Sequence, residues 1–500
     1  MQPIDYAILV VYFLLLISVG VWASRRVHNS ADYFTAGGKL PWWLTGISHH
    51  VSGYSGAVFV AYAGVAYTHG FSLYIWWAGG IFISTIIAAH VVAPRWSRLR
   101  SQLSIQSPTE YLSVRYNLTT QQIMAWSGVI IKIFDVGAKW AAIAILLHVF
   151  TGIPFLAGIL IAGSISLIYG ILGGLLADVL NDFAQFIIQL IAGFTMFVLI
   201  LRELGDGLGG YITMWDRLPD SQSQLFNQPY TIGFFAAILI IDFFSYSGGT
   251  WHLATRFISS PSGKQARKAA LLSSVLYILW PLILFFPLFA APIFIKNLAD
   301  PTQSYALMAL RFLPTGLLGL VLASLFTNTL SMTSSDANTI SAVITRDILP
   351  NIFPKLKKAN SGTMLILARV STFLFTFLTI MIAIYSDSFG GVFGLIITWF
   401  AALVGPISIP MILGLLPWFR RCNSTSAIVS IICGLITFAT LKITGQASLA
   451  VEIASPMLCS LLVYVLSGLI HGNKVPERVD KLLDSLKYDD VKEIASENSK

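Results

Sequence analysis

The chain of 500 residues is 56% hydrophobic and only 11% charged, its mean hydropathy is +0.76, and its formal net charge is +8. Soluble domains usually carry about 25% charged residues, so this sequence has too little polar surface for a large soluble core and predicts a polytopic α-helical membrane protein. Three cysteines without paired spacing exclude a disulfide or metal framework, and no P-loop, zinc-ligand or nucleophile motif supports an enzyme.

Thirteen apolar runs follow one another along the chain, and a bilayer-spanning helix needs about 20 such residues. The predicted spans are, to within a few residues, 5–24, 43–68, 72–94, 122–149, 153–173, 176–202, 230–254, 268–296, 314–345, 362–385, 390–416, 424–442 and 448–470. Arg25 and Arg26, rather than a small-residue cleavage site, follow the first run, so we expect it to remain as a spanning helix. The predicted fold class is all-α, with a transmembrane domain over 1–471 and a short charged tail over 472–500.

Lys and Arg concentrate after the odd-numbered spans, in segments such as "SRRVHNS", "PRWSRLRSQ" and "TRFISSPSGKQARK". Because cytoplasmic loops carry an excess of these residues, we predict that the N-terminus lies outside and the tail in the cytoplasm of a cell (inner or plasma) membrane. The same asymmetry accounts for the positive net charge, so we expect no nucleic acid as a partner.

The second span contains "GISHHVSGYSGAVF", from Gly46 to Phe59, which mixes glycine, serine and histidine. Glycine weakens a helix interior, and many transporters build ion sites from the free carbonyls of broken helices near the membrane midplane. One interpretation is therefore a broken helix that offers carbonyl oxygens to a cation. The other is a continuous helix that packs closely through its small residues.

Two further spans carry charge. In the fourth, Lys132, Asp135 and Lys139 share one helix face, so they form either a self-neutralising triad with outward-reaching lysines or a carboxylate held ready for a solute. In the sixth, Asp178 lies near the inner end and is interpreted as solvated. Asp182 lies one turn deeper, where a carboxylate needs a partner, and an ion fits that role as well as a lysine.

The ninth span contains "TNTLSMTSSDANTIS", which is unusually polar for a membrane helix. Seven polar residues follow helical spacing and share one face: Thr327, Ser331, Ser334, Ser335, Asn338, Ser341 and Thr345. A stripe of hydroxyls suits a small hard cation, which prefers oxygen ligands. Close packing of helices through Ser and Thr is the alternative.

Six motifs, in order, carry a resemblance to a known family: "ADYFTAGGKLPWW", "TEYLSVRYN", "YGILGGLLADVLNDFAQ", "TRFISSPSGKQARKAA", "SMTSSDANTISAVITRDIL" and "LVGPISIPMILGLLPWFRRCN". Together they resemble the sodium/solute symporter family, which includes sodium–glucose, proline and sialic acid carriers, over about residues 5–470. The resemblance implies a LeuT-like fold with two inverted five-helix repeats, helices 2–6 and 7–11, in which helices 2 and 7 are broken.

The resemblance also implies where sodium binds. For the common family site it places carbonyl ligands on Val51, Tyr54 and Asn328 and a hydroxyl ligand on Ser331. The next family position is usually Ser or Thr and here is Met332, so the register shifts to Thr333, water fills in, or the site is weakened. Some members have a second sodium site, and Asp182, Ser334 and Ser335 match it.

By position in the same family, the solute contacts fall on Ser55, Val58, Trp77, Asp135 and Thr398. An aromatic face beside a carboxylate suits a sugar or polyol, although the carboxylate equally suits an amine. We therefore predict a sodium-coupled symporter that imports a small hydrophilic organic solute, most simply a sugar or polyol. Its rivals are a proton-coupled carrier, a sodium-gated sensor or channel of the same fold, and a symporter for an amine or carboxylate solute.

Overall fold

The computed structural model describes residues 1–445, 447–470 and 475–489, with only the backbone given for 168–173, 397, 400 and 403. Within these ranges the regular structure is helical, and the single β-bridge joins Asn227 to Tyr230 in a loop. The prediction of an all-α chain is thereby confirmed.

The helices vary from single turns to a bent helix of 50 residues. In chain order they are α1 Pro3–Ser24, α2 Ser30–Thr35, α3 Trp42–Val51, α4 Ala63–His69, α5 Gly80–Val91, α6 Ala93–Leu103, α7 Leu112–Arg115, α8 Leu118–Thr151, α9 Phe155–Leu204, α10 Gly210–Thr213, α11 Asp220–Ser223, α12 Ile232–Phe244, α13 His252–Ile258, α14 Gly263–Leu284, α15 Phe286–Phe294, α16 Ser304–Phe312, α17 Leu317–Ala342, α18 Leu349–Ile352, α19 Ser361–Ile384, α20 Gly391–Trp399, α21 Ser408–Leu413, α22 Ser424–Thr444, α23 Leu449–Ile470 and α24 Glu477–Ser485. Wider π-helical turns occupy Val58–Tyr62, Tyr74–Gly79, Ser245–Gly249, Val343–Ile348 and Phe400–Val404.

Each of the thirteen predicted spans contains helix, but fewer are long, unbroken and apolar. In the described part of the chain, nine helices are long and apolar enough to cross a membrane, or up to ten if the bent pair Leu118–Thr151 and Phe155–Leu167 is one span. The predicted second and eleventh spans fall short because their helical stretches are interrupted after Val51 and after Val404. The count of thirteen therefore remains a prediction.

The break in the second predicted span has a visible cause. Helix α3 ends at Val51, and the Tyr277 hydroxyl of α14 donates a hydrogen bond of 2.9 Å to the carbonyl of His50 in its last turn. A Cβ at Gly53 would overlap that hydroxyl, so only glycine lets the chain pass Tyr277 at this point. The helix resumes as a π-turn at Val58, which leaves an irregular segment between the two halves.

A second irregular segment separates α12 from α13. Gly248 has φ +112° and Trp251 has φ +67°, and the indole of Trp96 donates 2.8 Å to the carbonyl of Ser247. Helix α13 then carries the chain to Ile258, although the sequence predicted an inner loop from residue 255. Arg256, assigned to that loop, is instead fully buried, because helix α13 packs against α3, α6 and α17.

Helix α17 lies at the centre of the bundle, packed against α1, α8, α9 and α19. Its side chains are buried on all sides over most of its length, polar stripe included.

The short amphipathic α24 lies on the outside of the bundle, and Asp489 follows it in the chain. There Asp489 pairs with Arg98 at 2.9 Å and accepts from the backbone amide of Gly263 at 2.8 Å; burial opposes ionisation, but these bonds lower the pKa of Asp489.

A buried ionic network joins α8, α13 and α17. Lys132 and Lys139 of α8 both pair with Asp135 on the same helix, and they also reach Asp336 of α17 at 2.9 and 2.6 Å. His252 of α13 contributes its Nδ1, 2.8 Å from Asp336. Of the two alternatives for the fourth span, the ion pairs of the triad are present, but its lysines are buried instead of reaching outward. The group becomes neutral only because α17 adds a second carboxylate to match the second lysine.

We predict that Asp336→Asn lowers the stability of the fold by about 3 kcal/mol or more, because it leaves two buried lysines facing one carboxylate. The measurement is the thermal unfolding midpoint of the purified full chain in detergent. Asp480→Asn is the matched control, because Asp480 pairs with Arg420 at 3.3 Å with both side chains about 40% exposed. Such a pair contributes about 1 kcal/mol or less, so equal midpoints for the two variants would contradict the role given to Asp336.

The predicted orientation places the exposed residues Ser104 and Ser361 in the cytoplasm and the exposed Ser388 outside. In a background with Cys433 and Cys459 replaced by alanine, a cysteine at Ser388 should react with a membrane-impermeant thiol reagent in intact cells. Cysteines at Ser104 or Ser361 should react only after permeabilisation. Labelling of either in intact cells would overturn the orientation.

Candidate functional site

Two carboxylates of α9 face the polar stripe of α17. Asp178 and Asp182 are one helical turn apart, and both are buried. Ser331 donates 2.6 Å to Asp182, whereas Ser334 and Ser335 donate 2.8 and 3.0 Å to the two oxygens of Asp178. The interpretation of Asp178 as a solvated group is therefore wrong, because α17 covers the inner part of α9 as well as the deeper turns.

A buried guanidinium ties these groups into one cluster. Arg256 of α13 donates 2.7 Å to the hydroxyl of Ser335 and 3.2 Å to Asp182. Ser48 of α3 also donates to Asp182, so α3, α9, α13 and α17 all meet at this carboxylate. As ionised groups, Asp178 and Asp182 carry two negative charges against one on Arg256. The cluster thus has room, in charge, for one monovalent cation.

Above the cluster, the seam between α9 and α17 is lined by polar groups without partners. Among the described residues, no hydrogen bond reaches either amide atom of Gln185, Gln189 or Asn328, nor the hydroxyl of Ser324. Buried polar groups are normally satisfied by protein or by water. These oxygens fit a small hard cation or the waters that accompany it. By helical spacing, Gln185 and Gln189 continue the face of α9 that carries the two carboxylates, whereas Ser324 and Asn328 continue the face of α17 that carries Ser331.

The residues predicted for the first sodium site lie at the α3 break and on α17. Val51 is the last residue of α3, Tyr54 follows it in the irregular segment, and the amide of Gly56 donates 2.9 Å to Thr329 of α17. The hydroxyl of Ser331 is turned to Asp182, so this residue touches both predicted ion sets.

The two candidates for the next hydroxyl face in different directions. Met332 lines the central cavity described below. Thr333 is turned away from that cavity: its hydroxyl donates 2.8 Å to the carbonyl of Thr329 in its own helix and lies 3.3 Å from Ser166. The thioether of Met332 thus faces the cavity, whereas the hydroxyl of Thr333 is bonded within α17.

A cavity of about 80 Å³ lies beside the irregular segments of both broken helices. It is large enough for several waters, since one water needs roughly 10–15 Å³ by this kind of measure. Four of the predicted solute residues line it, namely Ser55, Val58, Trp77 and Asp135. Other lining residues are Tyr62, Trp76, Lys139, Ile238, Asp242, Ser245, Tyr246, His252, Met332, Ile396 and Trp399.

Thr398, the fifth predicted solute residue, does not line this cavity. Its hydroxyl donates 2.9 Å to the carbonyl of Gly394 in its own helix, and its side chain lines a separate pocket with Phe134 and Ser388. Helix α20 turns Ile396 and Trp399 to the central cavity instead. Neighbouring residues of a helix point about 100° apart. The sequence does not show how α20 is rotated about its own axis, and this rotation decides which of its residues face the cavity.

Sequence reasoning missed three charged residues of the site. Asp336 was left unassigned although it lies in the polar ninth span, Arg256 was counted in a loop, and Asp242 in "IIDFF" was overlooked. For Asp242 the signal was present, because an acid inside an apolar span marks a functional position by default. For Arg256 no such signal is present in the sequence. Its burial follows from helix α13, which continues past the predicted end of the span.

Comparisons with known proteins agree with this architecture. The profile of the Sodium:solute symporter family matches residues 33–434. The chain is 26% identical to the "Sodium/glucose cotransporter" of Vibrio parahaemolyticus over 69% of its own length and 68% of that protein. It is 23% identical to the "Sodium/sialic acid symporter NanT" of Aliivibrio fischeri over 96% of both chains. It is 25% identical to the human "Sodium/myo-inositol cotransporter 2" over 87% of its own length and 69% of that protein.

Among solved structures, a substrate-bound, outward-open Na⁺-coupled sialic acid symporter matches 95% of this chain with a TM-score of 0.81 at 20% identity. Mhp1, a nucleobase-cation-symport-1 family transporter, matches 91% with a TM-score of 0.58 at 16% identity. These likenesses show a LeuT-like transporter fold. With the family profile spanning most of the sequence, the chain belongs to the Sodium:solute symporter family, a family of sodium-coupled membrane transporters rather than enzymes.

Proposed function

We propose that this protein is a symporter that couples the sodium gradient to the import of one small hydrophilic organic solute. The observation that carries the proposal is the position of two neighbouring residues on α17. Ser331 is bonded to Asp182 in the oxygen-rich cluster, and Met332 lines the central cavity. An ion at the cluster and a solute in the cavity would therefore contact adjacent residues of one buried helix.

The sodium ligands proposed for the first site are the carbonyls of Val51, Tyr54 and Asn328 with the hydroxyl of Ser331. An ion there joins the break after α3 to α17, which already meet through the bond from Gly56 to Thr329. Because the irregular segment also supplies Ser55 and Val58 to the cavity, fixing it against α17 completes the solute site. The coupling is reciprocal, since the solute must then raise sodium affinity by the same factor.

For a second sodium site we propose Asp182, Ser334 and Ser335. The two serines donate to Asp178 in this structure, but Arg256 joins Ser335 to Asp182, so the whole set is one hydrogen-bonded cluster. With both carboxylates ionised, Arg256 balances only one of the two negative charges, and a sodium ion in the cluster would balance the other. The serine hydroxyls would serve as its oxygen ligands.

The proposal keeps the thirteen-helix topology, the repeats over helices 2–6 and 7–11, the outside N-terminus and the cytoplasmic tail in a cell membrane. It does not take its solute from relatives, whose names include glucose, sialic acid, myo-inositol and, for a human relative that is 24% identical, iodide. The sequence argument for a sugar or polyol used Asp135 as an acceptor for solute hydroxyls. That argument is weakened, because Asp135 is already paired with two lysines.

Uptake into proteoliposomes tests the proposal against its rivals. With a panel of sugars, polyols, amines and carboxylates, accumulation of a solute above its external concentration must require an inward sodium gradient. Accumulation driven by a proton gradient alone would favour a proton-coupled carrier. Sodium currents without solute accumulation would favour a channel or sensor.

Ser331→Ala should raise the sodium concentration for half-maximal uptake, because it removes both a proposed sodium ligand and a hydrogen bond to Asp182. Loss of one such bond is worth about 1 kcal/mol, or roughly fivefold in affinity. Ser341→Ala on the same helix is the control, since its hydroxyl donates 2.6 Å to the carbonyl of Ala368 away from the cluster. Identical sodium activation in both variants would remove Ser331 from the ion site.

Asp182→Asn should lower the sodium affinity by more than roughly fivefold, which is the worth of one neutral hydrogen bond, and should reduce the Hill coefficient for sodium. The amide keeps the size of the carboxylate but removes the charge that holds the ion. Asp178→Asn, made in parallel, shows which carboxylate the ion prefers. If the Hill coefficient and affinity survive in Asp182→Asn, no second sodium ion binds at this residue.

A further inference from the structure

Asp242 is the charged residue of the central cavity that the sodium-coupling scheme does not use. It lies in the last turn of α12, and it shares the cavity-facing side of that helix with Ile238, Ser245 and Tyr246 at helical spacing. Only 4% of its surface is exposed. The α-carbon of Gly80 lies directly beneath it, so close that a Cβ there would be 2.6 Å from the Oδ2 atom.

This carboxylate has no visible protein partner. Among the described residues, no hydrogen bond reaches its Oδ2 atom, and no lysine, arginine or histidine lies within ion-pair distance of either oxygen. A carboxylate that leaves water without a partner is very costly. An acid kept in this condition inside a membrane protein is expected to meet its partner from the cavity.

The other charges around the cavity cancel one another. Asp135 and Lys139 line the cavity, but they belong to the network of two lysines and two aspartates in which Asp336 and Lys132 are the other members. With His252 neutral, that network has no net charge. When ionised, Asp242 gives the cavity one uncompensated negative charge, which opposes an anionic solute and attracts a cationic one.

Aromatic rings surround the same space. Trp76 and Trp77 precede Gly80 by about one helical turn and line the cavity together with Tyr62. Tyr62 packs edge-on against Trp76 at 5.4 Å between ring centroids, which holds these rings in fixed orientations. Aromatic faces attract ammonium groups through their quadrupoles, and most strongly where water is excluded. The cavity thus combines the two features that recognise an organic ammonium ion.

Resting on the proposed function, we propose that Asp242 is the solute-binding carboxylate and that the transported solute carries an amine or ammonium group, held between Asp242 and the rings of Tyr62, Trp76 and Trp77. The rest of the solute faces the hydroxyl side of the cavity at Ser55 and Ser245. The rival is an Asp242 that holds a proton and donates it to the hydroxyl of a neutral sugar or polyol. The two differ in whether the solute must be charged.

Matched pairs of probes separate these alternatives. The purified full chain is titrated in sodium buffer with choline and its neutral carbon isostere, with glucosamine and glucose, and with ethanolamine and ethylene glycol. Myo-inositol and sialic acid serve as further neutral and anionic probes, and binding is read from thermal stabilisation and calorimetry. We expect the cationic member of at least one pair to bind about tenfold or more tighter than its neutral partner, a difference of about 1.4 kcal/mol.

Asp242→Asn should abolish this preference and lower the affinity for the cationic probe by about tenfold or more. Asp242→Glu should keep the preference. Asp387→Asn, which changes an exposed acid of the loop before α20, should bind all probes as the unchanged chain does. If Asp242→Asn does not yield folded protein, Gly80→Ala displaces the carboxylate without removing its charge and should weaken the same cationic probe.

Binding of neutral or anionic probes only, equal binding within every pair, no binding of any probe, or an unchanged preference in Asp242→Asn would each overturn the inference. Sodium is varied in the same titrations, so that failure of the proposed function is seen separately. If neutral probes alone bind, and only with sodium, sodium coupling stands and the inference fails. If the cationic probe keeps its preference but binds equally with and without sodium, the inference stands and the proposed sodium coupling fails.

Discussion

A charge buried in a bilayer must be compensated within the protein, and α17 supplies that compensation on two of its faces. One face gives Ser331, Ser334 and Ser335 to the carboxylates of α9, and the other gives Asp336 to the lysines of α8. The alternative for each group is an unpaired charge in a low dielectric. The position of α17 is therefore set by electrostatics on both sides as much as by packing.

This constraint explains why a helix so polar can sit at the centre of a membrane protein. Its hydroxyls, its two amides and its carboxylate are all buried, while the helices around it present apolar residues to the outside of the bundle, as α1 and α19 do. A displacement of α17 would disturb both clusters together. That property suits the proposed role of α17, in which one helix joins an ion site to a solute cavity.

The two broken helices add irregular backbone beside the cavity. Around Gly53 and around Gly248 the chain leaves helical geometry, and both irregular segments border the cavity. Each is held from outside by one aromatic residue: Tyr277 bonds to the end of α3, and Trp96 bonds to the segment after α12. The last turn of α3 and the segment after α12 are thus each fixed by a side-chain hydrogen bond from a neighbouring helix.

The family, the all-helical architecture and the existence of the polar stripe follow from the sequence, because hydropathy, positive charge in loops and short motifs are local properties that survive folding unchanged. The resemblance also grouped Ser55, Val58, Trp77 and Asp135 as solute contacts, and these four residues line one cavity. Element edges were less well predicted: α13 runs to Ile258 because packing against α3, α6 and α17 continues a helix past the point at which the apolar run ends.

Which charges pair, and which do not, was decided only by the tertiary structure. Thr398 lies off the cavity and Asp336 completes a network on α8, because helix rotation brings together residues from distant parts of the chain. The burial of Asp178 depends on α17 covering it. Asp242 lacks a partner because, among the described residues, the bundle places no lysine, arginine or histidine within ion-pair distance of it. A sequence pattern locates an acid in a span, but the compensation of its charge is a property of the assembled bundle.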